Sequence, residues 1–592
     1  MRGLRRVAAA ATVAMVLAAE TVALAATHDT SEAAVTVSGV IERLSDRDAE
    51  HGTALRLPDG KRLPIDDPGE ARTGDVVSVT MPVPDKVTEA VSRGESVEGD
   101  DGALTVTRGE LRAAARTPAQ EDSSLAEASV HAALHGAEVA HVEGVRVVSH
   151  AQNAPAAGVS EVHVAIAVPR GVSASAPTAE QVRTQVSNVA AYWREQSGGQ
   201  VNLRLAGTTR PYRSAYTCRD NPFDLWTEAA RAAGFTEGAR KHLVIVMPRA
   251  ATEAGCSYGL ASMGQSVGSG GIVYVADTAW PVLAHEIGHN FGLAHAKTLR
   301  CGSASDANLR SLPRGCRVED YGDPYDIMAA SSRDNAGSLS TPQAARLGFL
   351  GARDVMNVTT PTARVQLTPV SSRRGVRAAR IRDPRSGEVY WVEYRTRTGR
   401  DARLYQPMTA GIRVLREERV TEDNPWPGTI ALDATPTGQA SDWSWHLPVG
   451  HRLTSVSGGV TVSVERADAN SATVFINAGQ AQVAGTRVGQ VTRFGRTAAA
   501  AATPRPTMRA LSINAGGTAS WSSTGGARYD VVIRRVNGGG RTGPIQTWYA
   551  NTTRTSARLS MPRGTTVQVR ARARSASGAV SDWSGWRTVT FR

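Results

Sequence analysis

One eleven-residue segment constrains this 592-residue chain more than any other, the run HEIGHNFGLAH at residues 285–295. On a helix, His285 and His289 share one face, so both imidazoles can bind the same metal ion. Gly292 allows the chain to leave the helix in a left-handed conformation, which would bring His295 round as a third nitrogen ligand. Three neutral imidazoles leave the fourth tetrahedral position open to water, which is the pattern of a catalytic zinc site.

Glu286 lies next to the first histidine and is rotated from it by about 100° around the helix axis. From that position its carboxylate can reach a metal-bound water. Asp277 and Thr278 precede the segment where an N-cap belongs, and Pro281 falls in the first turn of the predicted helix. The alternative, a helix with incidental histidines, would require a chance agreement of several residue types at fixed spacing.

The segment resembles the H-E-x-x-H-x-x-G-x-x-H signature of the metzincin metalloproteases. Residues 321–328, with the sequence YGDPYDIM, resemble the methionine turn of that family and end at Met328. From Gly270 onward, and including LGFL at 347–350, the chain is similar to gametolysin-type enzymes. The resemblance covers residues 160–350, and a weaker resemblance extends into the β region that follows.

The resemblance implies an activity and a role for each residue of the site. Zinc is held by His285, His289 and His295, and Glu286 takes the proton of a zinc-activated water and passes it to the leaving amine. Met328 packs beneath the ligands as a hydrophobic floor. Because such enzymes act outside the cell, we expect a secreted metalloendopeptidase that hydrolyses peptide bonds of extracellular or cell-wall proteins.

The resemblance also implies how substrate binds. Strand 272–276 is expected to be an edge strand that pairs with a protein or peptide substrate in extended form. Some metzincins place a tyrosine ligand two residues after the methionine, but Ala330 stands there, so no tyrosine ligand is expected. The rival function is a secreted adhesion or wall-binding protein with a vestigial protease domain, and the intact glutamate and histidines argue against it.

The hydrophobic pattern predicts further domains around this one. Residues 27–110 alternate apolar and polar side chains, residues 160–290 mix strand and helix patterns, and the chain after residue 350 has strand patterns. We predict a multidomain protein, with an α/β metzincin catalytic domain flanked by an N-terminal β-rich pro-region and C-terminal all-β domains. The predicted parts are a signal peptide at 1–25, the pro-region at 26–150, the protease domain at 151–352, a β-rich domain at 353–480, a linker at 481–507 and a fibronectin type III-like sandwich at 508–592.

The first residues are typical of a secretory signal. Arginines at 2, 5 and 6 precede an apolar run at 7–19, and Ala-Leu-Ala at 23–25 offers a cleavage site. The run is too short to span a bilayer comfortably, and no later segment approaches that length, so no membrane span is expected. The alternative is an uncleaved anchor. We expect a secreted, extracellular protein, and the Arg- and Ala-rich composition favours a bacterial source.

Four cysteines fit an oxidising compartment, where an even number predicts disulfides. Three pairings are open. The pairing Cys218–Cys256 with Cys301–Cys316 is favoured because the second pair would close a short loop.

Charge is distributed unevenly along the chain. Residues 27–150 hold 12 basic and 23 acidic side chains, a net −11, whereas residues 351–592 carry a net +19. The acidic residues 27–150 can dock on the remainder of the chain, or the basic C-terminal region can bind an anionic cell-wall or matrix surface. Nearly all of the excess of basic side chains is arginine, which indicates coding bias and no specific nucleic-acid partner.

The acidic front has two interpretations, a removable pro-region or a permanent N-terminal β domain. It contains no cysteine, so a thiol that blocks the zinc is excluded. His131, His135 and His141 are candidate ligands, although surface histidines on a helix are the favoured interpretation.

The acidic residues that precede the methionine suggest a second metal, because carboxylates are typical Ca²⁺ ligands. Their spacing fits no known calcium loop, so helix caps and turn residues are favoured. They are Glu319, Asp320, Asp323 and Asp326. Tyr325 is either a substrate contact or, as favoured, a packed turn residue.

The tail resembles a fibronectin type III module. Trp521 and Tyr529 stand where early strands need core aromatics, and alternation puts three arginines of one strand on one face. The resemblance implies a ladder of these arginines, Arg570, Arg572 and Arg574, with Trp583 and Trp586. The alternative is an anion-binding face. Val567 stands in place of the usual tyrosine of that strand, which puts its hydrogen bond in doubt.

Overall fold

A computed structural model gives the structure of most of the chain. The residues that it describes are 33–45, 52–66, 68–100, 102–135, 139–150, 158–329, 334–404, 410–419, 426–437, 443–479, 487–493, 506–525, 528–536, 542–575 and 580–591. The predicted signal peptide, most of the predicted linker and Ala330 lie outside these residues. Within them, no helix combines the length and the hydrophobicity that a membrane crossing requires.

The N-terminal unit contains seven strands and three helices among its described residues. They are β1 (Ala34–Arg43), β2 (Thr53–Arg56), β3 (Arg62–Pro64), β4 (Val76–Pro82), α1 (Asp85–Arg93), β5 (Val97–Gly99), β6 (Gly102–Leu104), α2 (Arg108–Ala114), α3 (Ser124–Leu134) and β7 (Gly144–Ser149). Five strands form an antiparallel sheet in the order β3-β2-β1-β4-β7. The helices share its hydrophobic core, so the unit is rich in strands, as predicted, and also contains packed helices.

The α/β unit follows and carries the motif helix. Its elements are β8 (Gly158–Val168), α4 (Ala179–Gln196), β9 (Val201–Thr208), β10 (Tyr212–Arg213), α5 (Pro222–Ala233), β11 (Lys241–Val246), β12 (Gly259–Ala261), β13 (Gly271–Val275) and α6 (Trp280–Asn290). The sheet order is β10-β8-β11-β13-β12, with β9 also paired to β8, and all pairs are parallel except β12 with β13. Alternate residues of the strands pack on α4 and α6 on one face and on α5 on the other.

Helix α4 shows why this layer forms. Thr178 and Gln181 make a capping box at its start. The apolar residues spaced at helical intervals are all buried against the sheet, as the sequence predicts. They are Val182, Val186, Val189 and Trp193.

The edge of this sheet differs from the sequence prediction. Strand β13 is flanked by β11 on one side and by β12 on the other, so 272–276 is interior and the expectation of an edge there was wrong. The short β12 takes the edge because the chain returns antiparallel before entering β13. The pattern of apolar residues could not reveal this, since both strands are buried.

Where the structure describes it, the central β unit contains two sheets. Its elements are β14 (Ala296–Arg300), β15 (Arg317–Glu319), α7 (Thr341–Arg346), β16 (Val355–Val358), β17 (Thr362–Leu367), β18 (Ala378–Arg382), β19 (Val389–Arg395), β20 (Gly411–Glu417), β21 (Thr429–Leu432), β22 (His451–Thr454), β23 (Thr461–Ala467), β24 (Ala472–Asn477) and β25 (Val491–Arg493). The seven-stranded sheet has the order β15-β14-β21-β20-β19-β18-β16, and the five-stranded sheet has the order β17-β24-β23-β22-β25. Residues of both sheets share one hydrophobic core.

Two strands that precede the domain boundary predicted at residue 352 belong to a sheet of the unit that follows it. Strand β14, which follows His295 directly, pairs in parallel with β21 of the central β unit, and β15 pairs with β14. At the other end, β25 pairs with β22 although it falls in the predicted linker. The α/β unit and the central β unit are therefore joined by sheet pairing immediately beside the motif.

The described residues of the C-terminal unit form seven strands in two sheets. They are β26 (Thr507–Ile513), β27 (Thr518–Thr524), β28 (Arg528–Val536), β29 (Gln546–Thr552), β30 (Ser556–Arg558), β31 (Thr566–Arg574) and β32 (Arg587–Thr590). The sheets have the orders β26-β27-β30 and β29-β28-β31-β32 and enclose one core that includes Trp521 and Tyr529. Arg570 stacks on Trp583 and Trp586, at 4.8 and 4.6 Å, and Arg572 stacks on Trp583, so these two arginines form the expected ladder. The third predicted member, Arg574, instead pairs with Asp530 at 2.7 Å.

The four cysteines form two disulfides, Cys218–Cys256 and Cys301–Cys316, which is the pairing that the sequence favoured. The second spans a sequence separation of 15 between β14 and β15. Closing a loop of that size stabilises the folded state by about 3 kcal/mol in the chain-entropy model.

Candidate metal centre

Helix α6 presents the motif to the interior of the α/β unit. Its N-cap is Ala279 and not Asp277 or Thr278, because Asp277 Oδ1 instead accepts a hydrogen bond from Ala279 N at 3.1 Å. Gly292 has a φ of 89°, so the left-handed turn predicted after the helix is present. This turn carries the chain back toward the helix axis and sets up the approach of His295.

The structure brings the three predicted histidines together. One ring nitrogen from each of His285, His289 and His295 lies within 4.8 Å of the others, and all three side chains are buried. No other group of three metal-ligating side chains is found in the described part of the chain. The site is thus built from two turns of α6 and the chain that returns after Gly292.

The hydrogen bonds of the rings test whether a cation fits. Nδ1 of His285 lies 2.8 Å from the carbonyl oxygen of Ile327, and Nδ1 of His289 lies 2.7 Å from that of Leu293. A carbonyl only accepts, so each Nδ1 carries the proton and each Nε2 presents a lone pair. These two Nε2 atoms are 3.1 Å apart, an arrangement of facing lone pairs that a shared cation stabilises.

The third histidine, His295, follows the same pattern, with Nδ1 engaged and Nε2 left for a metal. Its Nδ1 lies 3.0 Å from a carboxylate oxygen of Asp320, and its Nε2 is buried with no hydrogen-bond partner among the described residues. A carboxylate behind a ligating imidazole fixes the tautomer and the orientation of the ring. The residues present therefore fit a divalent metal that prefers nitrogen ligands, and zinc is the usual occupant of such a site.

Burial keeps the ligands in the form that binds metal. Desolvation, with the nearby His295, lowers the pKa of His285 to about 3. Desolvation and the other two imidazoles also lower the pKa of His289 well below its ordinary value. Neutral imidazole is the ligating species, so these two rings need not lose a proton to bind metal near neutral pH.

Glu286 lies between α6 and the edge strand. It is 5% exposed, and an ideal Cβ built on Gly259 of β12 would lie only 2.1 Å from Glu286 Oε1. A side chain on that glycine would therefore collide with the carboxylate. The predicted general base thus lies directly beside the strand at the sheet edge.

The methionine turn lies beneath the histidines. Met328 is fully buried, and an ideal Cβ on Gly288 of α6 would lie 2.4 Å from its sulfur. The Met328 carbonyl accepts a hydrogen bond from Ala296 N at 2.7 Å. The turn therefore contacts both the helix and the chain that carries the third ligand.

Two neighbours of the site were not assigned from the sequence. Asp320 was a member of the acidic cluster, but its contact with His295 depends on how β14 and β15 pair. Tyr321 has a φ of 53° and its ring lies 3.8 Å from that of His295, centroid to centroid. A bulky residue with positive φ is a conformational outlier, and no sequence pattern signals it.

The other acidic residues of the cluster have separate partners. Glu319 lies 3.0 Å from Arg300, Asp323 lies 2.8 Å from Arg413, and Asp326 accepts from Met328 N at 2.9 Å. Burial raises the pKa of Asp326 to about 6. Asp326 thus has the turn role that the sequence favoured, whereas Glu319 and Asp323 form ion pairs, and both Asp323 and Asp326 are buried and not solvated. Calcium binding stays a prediction.

The remaining candidates do not belong to the three-histidine group. Tyr325 is 2% exposed, in agreement with the packed-turn interpretation. In the N-terminal unit, the rings of His131 and His135 are 4.4 Å apart, and His141 lies 2.6 Å from Asp66. None of these three histidines belongs to the metal-ligating group found in the described residues.

Comparison with known proteins agrees with this geometry. Residues 163–340 match the family model described as metallo-peptidase family M12. The matched segment contains the three histidines, Glu286 and the methionine turn. The chain is accordingly a metalloendopeptidase, and the match together with the site fits a metzincin-like peptidase.

Solved structures give weaker likenesses. An Fn3-like protein from Clostridium thermocellum is 25% identical over 15% of this chain and 95% of its own, with a TM-score of 0.12. Metalloproteinase-II from Bacteroides fragilis is 11% identical over 50% of this chain and 75% of its own, with a TM-score of 0.22. At these scores neither likeness carries an argument about this chain. A search of curated proteins found no match.

Proposed function

We propose that this protein is a secreted, zinc-dependent metalloendopeptidase that cleaves extracellular or cell-wall proteins, with Glu286 as the general base. The observation that carries the proposal is the direction of the hydrogen bonds made by the three imidazole rings. Two ring Nδ1 atoms donate to backbone carbonyls and the third faces Asp320, so the Nε2 atoms converge as neutral nitrogen ligands. Such a site, with Glu286 beside it, suits metal-assisted hydrolysis.

The roles of the residues follow from their positions. His285, His289 and His295 would hold zinc, which when bound supplies a Lewis acid and activates water for attack on the scissile carbonyl. Glu286 accepts the proton of the attacking water and delivers it to the leaving amine. Met328 supports the ligands from below and excludes water from that side.

Substrate is proposed to bind in extended form along β12. This strand is the last one of the sheet of the α/β unit, and it passes beside Glu286 at Gly259. Backbone hydrogen bonds to an edge strand bind a peptide whatever its sequence, which suits an endopeptidase. The edge at 259–261 thus replaces the one expected at 272–276.

The N-terminal unit is proposed to be a pro-region. Its segment Arg43-Leu44-Ser45 forms an antiparallel bridge to Ser262 at the end of β12. Ser45 N donates to Ala261 O at 2.9 Å, and Met263 N donates to Arg43 O at 2.7 Å. These bonds use the backbone groups that a peptide substrate would need, which supports latency without a cysteine.

The C-terminal unit is proposed to be a fibronectin type III-like module. Support comes from its sheets of three and four strands and from its ladder, in which Arg572 also lies 4.8 Å from Trp583. Asp530 lies within 2.8 Å of Arg572 and 2.7 Å of Arg574. These arginines are engaged inside the module, so binding to an anionic wall or matrix would fall to the rest of the basic region.

Replacing Glu286 by Gln tests the proposed function. The variant should bind one zinc per chain, as wild type does, because the three histidines are unchanged. Its cleavage of casein should fall by about 10²- to 10⁴-fold, the usual contribution of a general base. Metal analysis and a fluorescent casein assay on the processed protein measure the two quantities.

Excess chelator should abolish wild-type cleavage, and added zinc should restore it. If casein cleavage persists in Glu286→Gln or in chelator, the mechanism is wrong. If wild type binds zinc but cleaves no protein, the rival function, an adhesion protein with a vestigial protease domain, is supported instead.

A further inference from the structure

The central β unit reaches the methionine turn through two buried arginines. Arg395 lies at the end of β19 and Arg413 lies on the neighbouring strand β20, and their side chains are 1% and 3% exposed. Both belong to a part of the chain that the sequence assigned to a separate domain. Both guanidinium groups pack over the ring of Tyr325, at 5.8 and 4.3 Å from its centroid.

Arg395 holds the backbone on both sides of the methionine. Its Nη1 donates to Tyr325 O at 3.1 Å and to Ser338 O at 2.8 Å. Its Nε donates to Glu393 at 2.8 Å. The second Glu393 oxygen accepts from Thr341 N at 2.9 Å. One guanidinium and one carboxylate thus fix three points of the segment 325–341.

Arg413 holds the start of the turn. Its Nη2 donates to Asp323 Oδ1 at 2.8 Å, and its Nη1 donates to Glu393 at 3.2 Å. Asp323 N in turn donates to Ala296 O at 3.2 Å, next to His295. The charge of Glu393 is maintained in this buried position, because Arg395 and Arg413 outweigh the effect of burial and lower its pKa.

The turn that these arginines hold orients two of the three metal ligands. Ile327 O, two residues after Tyr325, accepts from His285 Nδ1 at 2.8 Å. Met328 O accepts from Ala296 N at 2.7 Å, directly after His295. A displacement of the turn would therefore rotate one imidazole and shift the chain that carries the other.

We propose that Arg395 and Arg413 are positioning residues of the metal centre: the central β unit sets the geometry of His285 and His295 through the methionine turn. The inference rests on the proposed function and adds that the peptidase site is completed by residues well beyond the matched segment 163–340. Neither arginine is expected to contact substrate, because both are buried beneath the turn.

The chain offers a matched control on the same strand. Arg416 of β20 is also buried, at 2% side-chain exposure, and it also donates to a carboxylate and a carbonyl, Asp306 Oδ1 and Ala307 O, both at 2.7 Å. Its contacts lie away from the methionine turn. Arg413→Met and Arg416→Met should therefore both lower thermal stability, but only the first should change the metal site.

The experiment measures the zinc dissociation constant, by competition with a chromophoric chelator, and kcat/KM on a quenched peptide. Arg413→Met should weaken zinc binding and lower kcat/KM by about 10- to 100-fold, as loss of supporting contacts does at other metal sites. It should also shift the visible absorption bands of the Co²⁺-substituted protein. Arg416→Met should stay within about twofold of wild type in all three measurements once folded protein is quantified.

If Arg413→Met does not fold, Arg413→Lys replaces it, since lysine keeps one donor for Asp323 but loses the fork and should give an intermediate loss. Wild-type zinc affinity and Co²⁺ bands in the folded Arg413 variant would overturn the inference, as would equal losses in the Arg416 variant. A wild-type protein that binds no zinc would instead contradict the proposed function.

Discussion

Asn290, the last residue of α6, joins the motif helix to the strand that lies beside it. Its Nδ2 donates to Ser262 O at 2.7 Å, and its Oδ1 faces Nδ1 of the buried His242 at 2.9 Å. The amide oxygen only accepts, so His242 donates from Nδ1 and is a neutral tautomer. One side chain therefore ties the ligand helix, the edge strand and the sheet interior together.

Because His242 is fully buried, desolvation lowers its pKa to about 4, against a smaller opposing effect of the Asn290 hydrogen bond. The unfolded chain binds a proton at this residue near pH 6.5, whereas the folded chain does not until about pH 4. The contribution of His242 to stability is thus complete above about pH 6.5 and is lost as the pH falls toward 4, by up to about 3 kcal/mol.

The His242→Gln variant tests whether His242 makes the protein less stable as the pH falls. Between pH 7 and pH 4 the free energy of unfolding of wild type should fall more steeply than that of the variant. The other buried histidines are common to both proteins, so the difference isolates His242. Parallel pH profiles from thermal unfolding would contradict the assignment.

At the level of elements, the site depends on close backbone contact between α6 and the loop after β12. Gly264 N donates to His289 O at 2.8 Å. An ideal Cβ on Gly264 would lie 1.8 Å from Asn290 O, a backbone atom that cannot rotate away. The glycine is therefore required by the proximity of the loop to the helix end.

Gly264→Ala should destabilise the protein by about 2 kcal/mol or more, because the added methyl group must force the loop from the helix. Zinc content should fall with it, since the displaced helix end carries His289. Gly207→Ala on β9 is the control, because nothing lies within 4 Å of its added Cβ. Equal melting temperatures for the two variants would show that the loop gives way without cost.

At the level of the whole molecule, the N-terminal unit meets the α/β unit through charge as well as strand pairing. Glu237 of the α/β unit pairs with Arg56 at 3.2 Å and with the buried Arg62 of the N-terminal unit. At this contact the polarity is opposite to the net −11 of residues 27–150, because two arginines of the N-terminal unit meet a carboxylate of the α/β unit. Opposite charges across a contact favour docking and make it sensitive to reversal.

Glu237→Arg should activate the intact, unprocessed protein. Arginine there would face two like charges, and weakening the docking by about 1 kcal/mol exposes β12 about fivefold more often. Activity on a quenched peptide, with intact mass checked by mass spectrometry, measures the effect. Glu180→Arg, on the exposed surface of α4, is the control.

The pro-region interpretation also predicts where the mature protein begins. N-terminal sequencing of the secreted, mature protein should find a start well beyond residue 27. A start near 27 in fully active protein would support a permanent N-terminal domain. Equal activity of intact wild type and Glu237→Arg would lead to the same conclusion.

The sequence was most informative where geometry is local. Helical spacing is enough to place His285 and His289 on one face, and Gly292 signals the turn that returns His295. The amphipathic pattern of α4 and the short loop between Cys301 and Cys316 likewise depend on neighbouring residues. These features follow from backbone geometry over a few residues, so they could be predicted without the fold.

Only the tertiary structure decided which groups surround those ligands. The position of β12 at the end of its sheet, the contact of Asp320 with His295 and the contacts of the buried Arg395 and Arg413 all join residues distant in sequence. Buried strands look alike in their apolar pattern, and a charged residue does not reveal its partner. Such contacts arise from the pairing of sheets, which local physical rules leave open until the chain has folded.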